Sequence, residues 1–126
     1  LLILFTADVM AWRKEPERYW RNLPRKTTDH LVSWIGKFHA GREWLQRDEA
    51  QRSIGMAMQT LMLAAKALGY DSCPMVGFDL DGVAKLVRLP DDHVMGPMVA
   101  IGKRLQDPAP KPGQLSLDEI VVENTF

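Results

Sequence analysis

From Ile54 to Leu68 the chain leaves almost no polar side. Ile54, Met56, Ala57, Met58, Leu61, Met62, Leu63, Ala64, Ala65 and Leu68 would cover every face of one helix. A helix apolar all round is buried all round, which predicts either the central helix of a domain or a subunit interface. Gly55, Ala57, Ala64 and Ala65 are small enough to let a second helix come close, and the methionines fit irregular core filling. The helix starts near Glu43, and its first half differs in character. Arg42, Glu43, Arg47, Asp48, Glu49 and Arg52 make a salt-bridged solvent face there. Gly69 is placed to end the helix in a left-handed C′ conformation.

The rest of the chain must supply what covers this helix. The 126 residues are enough for one domain with its own core, and hydrophobic residues make up 46% of them. LLILFTAD (1–8) is too short to cross a membrane, which takes about 20 apolar residues. It also lacks the layout of a signal peptide. A continuous apolar run of this length predicts a strand buried on both faces, and hence a chain that begins in mid-fold with an N-terminal part missing. A charged excursion follows, with a short helix and with Trp12, Tyr19 and Trp20 turned inward. Thr28 and Asp29 predict a cap for a helix starting near His30, in which Leu31, Trp34, Ile35 and Phe38 recur at helical spacing before Gly41. After Gly69 the sequence predicts an extended piece through Cys73 to Phe78. A helix over GVAKLVRL would then be capped by Asp79 or Asp81 and stopped by Pro90. VMGPMVAIG (94–102) reads as a strand, DPAPKPG as an extended linker, and LSLDEIVVENTF as a last strand or an arm onto a partner. Strands and helices alternate without a regular βαβ repeat, which predicts an α+β fold.

The chemistry is sparse. Sixteen basic residues balance sixteen acidic ones, which argues against a nucleic-acid partner, even though Trp12, Tyr19 and Trp20 stand beside Arg13, Arg18 and Arg21. One cysteine excludes an internal disulfide, and a reducing, cytoplasmic setting fits. His30, His39 and His93 lie far apart and read as surface or capping residues. Asp91 and Asp92 beside His93 suggest a metal site, but a turn after Pro90 explains them more simply. Cys73 reads as a packing residue. By spacing alone LGYDSCPMVGFD (68–79) is a tight helix-to-strand turn. Any catalysis is therefore expected to rest on a cofactor.

Several pieces in order carry a resemblance. SIGMAMQTLMLAAKALGYDSCPMVGFD (53–79), then LPDDHVMGPMVAIGK, then a proline-rich stretch before LSLDEIVVENTF, resemble the C-terminal part of the nitroreductase family of flavoproteins. The resemblance implies an α+β, nitroreductase-like fold: a central, mostly antiparallel sheet flanked by helices, with one long buried helix at a homodimer interface. It implies FMN as cofactor and NAD(P)H as co-substrate, with ping-pong hydride transfer through flavin N5 to an electron-poor acceptor such as a nitroaromatic or quinone. Pro74, Met75, Val76 and Gly77 would then lie along the flavin ring with backbone N–H groups toward N5 and O4, while Lys103 and Lys111 would hold the phosphate. Many relatives carry an arginine where this chain reads Gly113 and Gln114, which leaves Lys111 to do that work. Trp34, Phe38 and Trp44 are candidates for a substrate channel, with Trp34 and Phe38 read rather as core. Two alternatives stand beside this reading: an inactive flavin-binding or dimeric interaction module, and a relative with another flavin reaction such as reductive dehalogenation.

Overall fold

The computed structural model describes residues 1–125. Strand β1 (Leu2–Asp8) leads into a 3-10 turn (Pro16–Trp20), followed by helices α1 (Arg25–His39) and α2 (Glu43–Ala67). Strand β2 (Asp71–Met75), helix α3 (Leu80–Val87), strand β3 (His93–Gly102) and a single turn α4 (Leu117–Ile120) complete the order. The sheet is antiparallel in the order β1-β3-β2, so the last strand in sequence is the middle one in space. This is the α+β arrangement expected.

The core lies where α2 crosses the sheet. Val99, at the centre of β3, is fully buried and pairs with Ile3 on one side and Pro74 on the other. Ala50, Ile54 and Ala65 form the stripe that α2 lays over it. Ile54 can come so close because Gly96 beneath it has no side chain. Leu4 pairs with Met98 and Thr6 with Met95, so Phe5 faces two residues, Gly96 and Pro97. This bulge lets a proline, which cannot donate to a ladder, sit in a central strand.

The end of α2 follows the sequence closely. Gly69 has φ 77°. Its N–H reaches the Lys66 carbonyl at 3.0 Å and the Tyr70 N–H reaches Ala65 at 2.9 Å, which is the Schellman pattern. Asp79 is the cap of α3, accepting from the Gly82 N–H at 3.0 Å, and the helix ends before Pro90.

Several expectations are corrected. The second half of α2 is buried on one face only: Met56 and Leu63 are 66% and 61% exposed, so within this chain its apolar character exceeds what the sheet covers. Among the described residues β1 is an edge strand paired with β3 alone, and Leu1 and Leu2 stand largely exposed. Helix α1 begins at Arg25 behind Pro24, because Thr28 and Asp29 have other partners. Thr28 is buried with its hydroxyl on the Trp20 carbonyl, and Asp29 pairs with Arg25 one turn back. Trp34 and Phe38 are not core. They stack on each other at 5.5 Å on an exposed face, for α1 buries only Thr28 and His39. Tyr19 also points outward, against the Arg18 guanidinium. The closing segment forms no strand. Ser116 and Glu119 make a reciprocal capping box that winds α4 before the alternating pattern can pair, and Phe126 lies outside the described residues.

Candidate functional site

Strand β2 delivers the loop from Pro74 to Asp79. Pro74 lies opposite Val99 and Met75 opposite Met98, after which the chain leaves the sheet. As an edge strand, β2 tolerates a proline with no N–H to give. The next backbone donors, Val76, Gly77 and Phe78, have no hydrogen-bond partner among the described residues. Val76 is 72% exposed, and a Cβ added at Gly77 would meet nothing within 4 Å. The loop is thus a row of free N–H groups on an open surface, fixed at one end by the sheet and at the other by the Asp79 cap. Such a row suits an acceptor-bearing ligand edge.

Cys73, next to the loop on the edge strand β2, is exposed rather than packed.

The two lysines stand apart from the loop. Lys103 follows β3 where Gly102 pairs with Asp71, at the opposite end of β2 from Met75. At about 3.3 Å per residue that is roughly 13 Å of strand. Its ammonium donates to the Gly69 carbonyl at 3.2 Å and lies 4.2 Å over the Tyr70 ring, so it braces the end of α2. Arg104 pairs with Asp71 at 2.6 Å. Together with Lys66 it holds the Asp71 carboxyl well below the usual carboxylate range, Arg104 being the larger cause. Lys111 donates to the Gln114 side-chain oxygen at 3.2 Å, within the exposed linker.

The residues around His93 form a closed set. Asp8, Asp92 and His93 have ligand atoms mutually within 4.8 Å. The cation among them is the protein's own: the Lys14 ammonium sits 2.7 Å from Asp8 and 2.5 Å from Asp92. Lys14 and then His93 lower the Asp92 carboxyl, while the His93 N–H closes the expected turn on Pro90 at 3.0 Å. Sequence reading missed Lys14 and Asp8 because they lie more than 75 residues from Asp92, which the 78-residue separation of Lys14 and Asp92 illustrates. No local spacing signals such a contact. The free N–H row at residues 76–78 likewise has no signature in residue types.

Among the described residues, no helix is long and apolar enough to cross a membrane.

Comparison with known proteins bears on all of this. Residues 31–103 match the family model described as "Nitroreductase family". Protein DrgA of Synechocystis sp. is 61% identical over 126 residues, which cover 96% of this chain and 60% of that protein. Among solved structures, a candidate NAD(P)H:FMN oxidoreductase from Staphylococcus epidermidis superposes with a TM-score of 0.84 at 25% identity, over 96% of this chain and 60% of the other. A candidate nitroreductase from Exiguobacterium sibiricum, solved in complex with FMN, shares the fold with a TM-score of 0.84 at 24% identity and the same coverage. The chain therefore spans 60% of the length of each of these proteins.

Proposed function

Because the chain belongs to the nitroreductase family, we propose that it forms part of an FMN-dependent oxidoreductase that takes hydride from NAD(P)H and reduces an electron-poor acceptor, a nitroaromatic or a quinone. The observation that carries this reading is the run of free backbone donors at Val76, Gly77 and Phe78 behind the stiff Pro74 and Met75. FMN, when bound, supplies the electron transfer. The chain's part is to hold and orient the ring edge. Backbone N–H groups fixed by the sheet and the α3 cap need no reorganisation to meet a carbonyl or a ring nitrogen, and they stabilise charge that develops there. Such a site needs no reactive side chain of its own. Lys111 is free to follow a phosphate, whereas Lys103 would first have to leave the Gly69 carbonyl. Lys111 is therefore our first candidate and Lys103 the second.

The same reading includes a cytoplasmic homodimer. Its support is the outward face of α2, where Met56 and Leu63 are exposed beside Ala64 and where Thr60 hides its hydroxyl on the Met56 carbonyl at 2.8 Å. A glutamate at Ala64 would put a charge into that face. Ala64→Glu is expected to give a monomer or an aggregate without flavin; an intact, flavin-loaded dimer by sedimentation would contradict the assignment.

The flavin reading is tested on the purified full-length protein. A yellow preparation whose visible flavin bands bleach anaerobically with NADH or NADPH is expected. A colourless protein that fails to take up added FMN would refute it and leave an interaction module. Bands that bleach without turnover of nitroaromatics or quinones would point to another flavin reaction.

A further inference from the structure

We propose that the cavity between the 3-10 turn and the start of α1 binds a phosphate monoester through Arg18, Arg21 and Arg25. The cavity measures about 460 Å³ and is lined by these three residues with Glu17, Leu23 and Thr28. It shares no residue with the loop at 74–77, so the proposal stands independently of the flavin reading.

The neutral balance of the whole chain hides a local excess of positive charge. Between positions 13 and 26, Arg13, Lys14, Arg18, Arg21, Arg25 and Lys26 stand against Glu15 and Glu17. Lys14 is neutralised by Asp8 and Asp92, and Arg25 gives its Nε to Asp29 at 2.8 Å. Arg18 donates one terminal nitrogen to the Tyr19 hydroxyl at 3.0 Å, a neutral partner that holds the guanidinium without cancelling its charge. Among the described residues no carboxylate pairs with Arg18 or Arg21, and Glu17 at the cavity pairs with no cation. All three arginines are exposed, so a ligand reaches them directly from solvent.

The fold brings these cations to one place. Side chains three apart eclipse on a 3-10 turn, which sets Arg18 and Arg21 on the same side of Pro16–Trp20 and its exit. The Trp20 carbonyl then accepts from the Leu23 N–H at 2.9 Å and from the buried Thr28 hydroxyl at 3.2 Å, which folds the start of α1 back against the turn. Arg25 thereby lines the same cavity. Helix α1 opens with no acidic residue in its first turn and no side-chain cap. Cations at the positive end of a helix dipole are unfavourable, so like charges meet here at a cost that a bound anion would offset. Guanidinium donors match phosphate oxygens in pairs. Three of them exceed what the two oxygens of a carboxylate can take up, whereas a phosphate monoester offers three oxygens and about 1.5–2 negative charges at pH 7. Leu23 supplies an apolar wall for the organic part of the ester.

The test titrates the full-length protein with adenosine 2′-monophosphate, followed by calorimetry and by the ³¹P resonance of the ligand, with adenosine as the control. Saturable binding of the monophosphate is expected, and adenosine should bind at least about tenfold more weakly. Arg21→Gln should weaken the monophosphate about tenfold, and Arg21→Lys should restore it only in part, because an ammonium lacks the planar fork. Arg13→Gln removes the same charge from the same segment but outside the cavity, and should change the affinity by less than about twofold. Competition identifies the source of the phosphate. Displacement by NADP⁺ but not by NAD⁺ assigns the 2′-phosphate of the co-substrate; displacement by inorganic phosphate with neither dinucleotide competing assigns a free phosphate compound, and either result supports the site. The proposal is overturned if the monophosphate gives no saturable change by either readout, or if adenosine binds as well. It is equally overturned if Arg21→Gln binds undiminished, or if Arg13→Gln weakens binding as much as Arg21→Gln does, the result for a diffuse positive surface.

Discussion

Replacing Gly96 with alanine is expected to destabilise the fold by about 1–3 kcal/mol, the usual cost of overfilling a packed core. A Cβ at this position would lie 2.5 Å from Ile54 Cγ2, 3.2 Å from Ile54 Cδ1 and 3.4 Å from Phe5 Cβ. The first contact cannot be relieved by a small rotation. Ile54 is branched at Cβ, is only 4% exposed, and sits in a helix that restricts its χ1 to essentially one rotamer. Either α2 lifts from the sheet or the bulge at Gly96 and Pro97 flattens, and both changes disturb the burial of Val99. Melting by circular dichroism measures the loss. Ile54→Ala in the same chain removes the obstructing methyl, so the double variant should be less destabilised than the sum of the two single ones. Simple additivity would mean that Gly96 is required for something other than the approach of α2.

At Gly77 the expectation is the reverse: a small effect on stability and a large one on cofactor binding. No neighbour lies within 4 Å of the added Cβ, and Gly41 and Gly69 are the glycines with positive φ among the described residues. Valine at position 77 therefore meets no strain in the protein, and the apo form should melt within about 0.5 kcal/mol of wild type, as for other surface substitutions. If the N–H row at 76–78 meets a flavin edge, the added branches hold the ring away from the backbone donors. FMN affinity should then fall at least about tenfold, the equivalent of one lost hydrogen bond. Quenching of flavin fluorescence on titration gives the affinity. Unchanged affinity in Gly77→Val would remove this loop from the flavin site, while leaving the family membership of the chain untouched.

The two glycines show how unevenly the structure could be read in the sequence. Gly69 was identifiable because the signal is local: an apolar helical run ends, and the residue that accepts a left-handed turn follows. Asp79 before the third helix and Pro90 after it are legible for the same reason. Gly96 sits unremarked in VMGPMVAIG, since its need for hydrogen in place of a side chain comes from Ile54, 42 positions earlier in the sequence. The outer loop at Pro74–Gly77 was found through resemblance. What the structure adds there is the physical reason such a loop is useful, its unpaired N–H groups. Lys103 moved the other way. A lysine just past a strand looked free to hold a phosphate, but folding brings it to the carbonyl end of α2, 34 residues away.

The sequence alone determined the α+β class, the limits of α2 within a residue or so, its C-terminal turn and the position of strand β3, though not the fate of the closing segment. These depend on backbone hydrogen bonds closed within a few residues, and on a periodicity that needs no knowledge of the partner. Only the tertiary structure decided which face of α2 is buried, that Trp34 and Phe38 stand in solvent, that Lys14 fills the space between Asp8 and Asp92, and that the Trp12 Nε1–H is buried without an acceptor among the described residues. A residue's type fixes what bonds it can make. Which of them it does make depends on groups that folding carries in from distant parts of the chain.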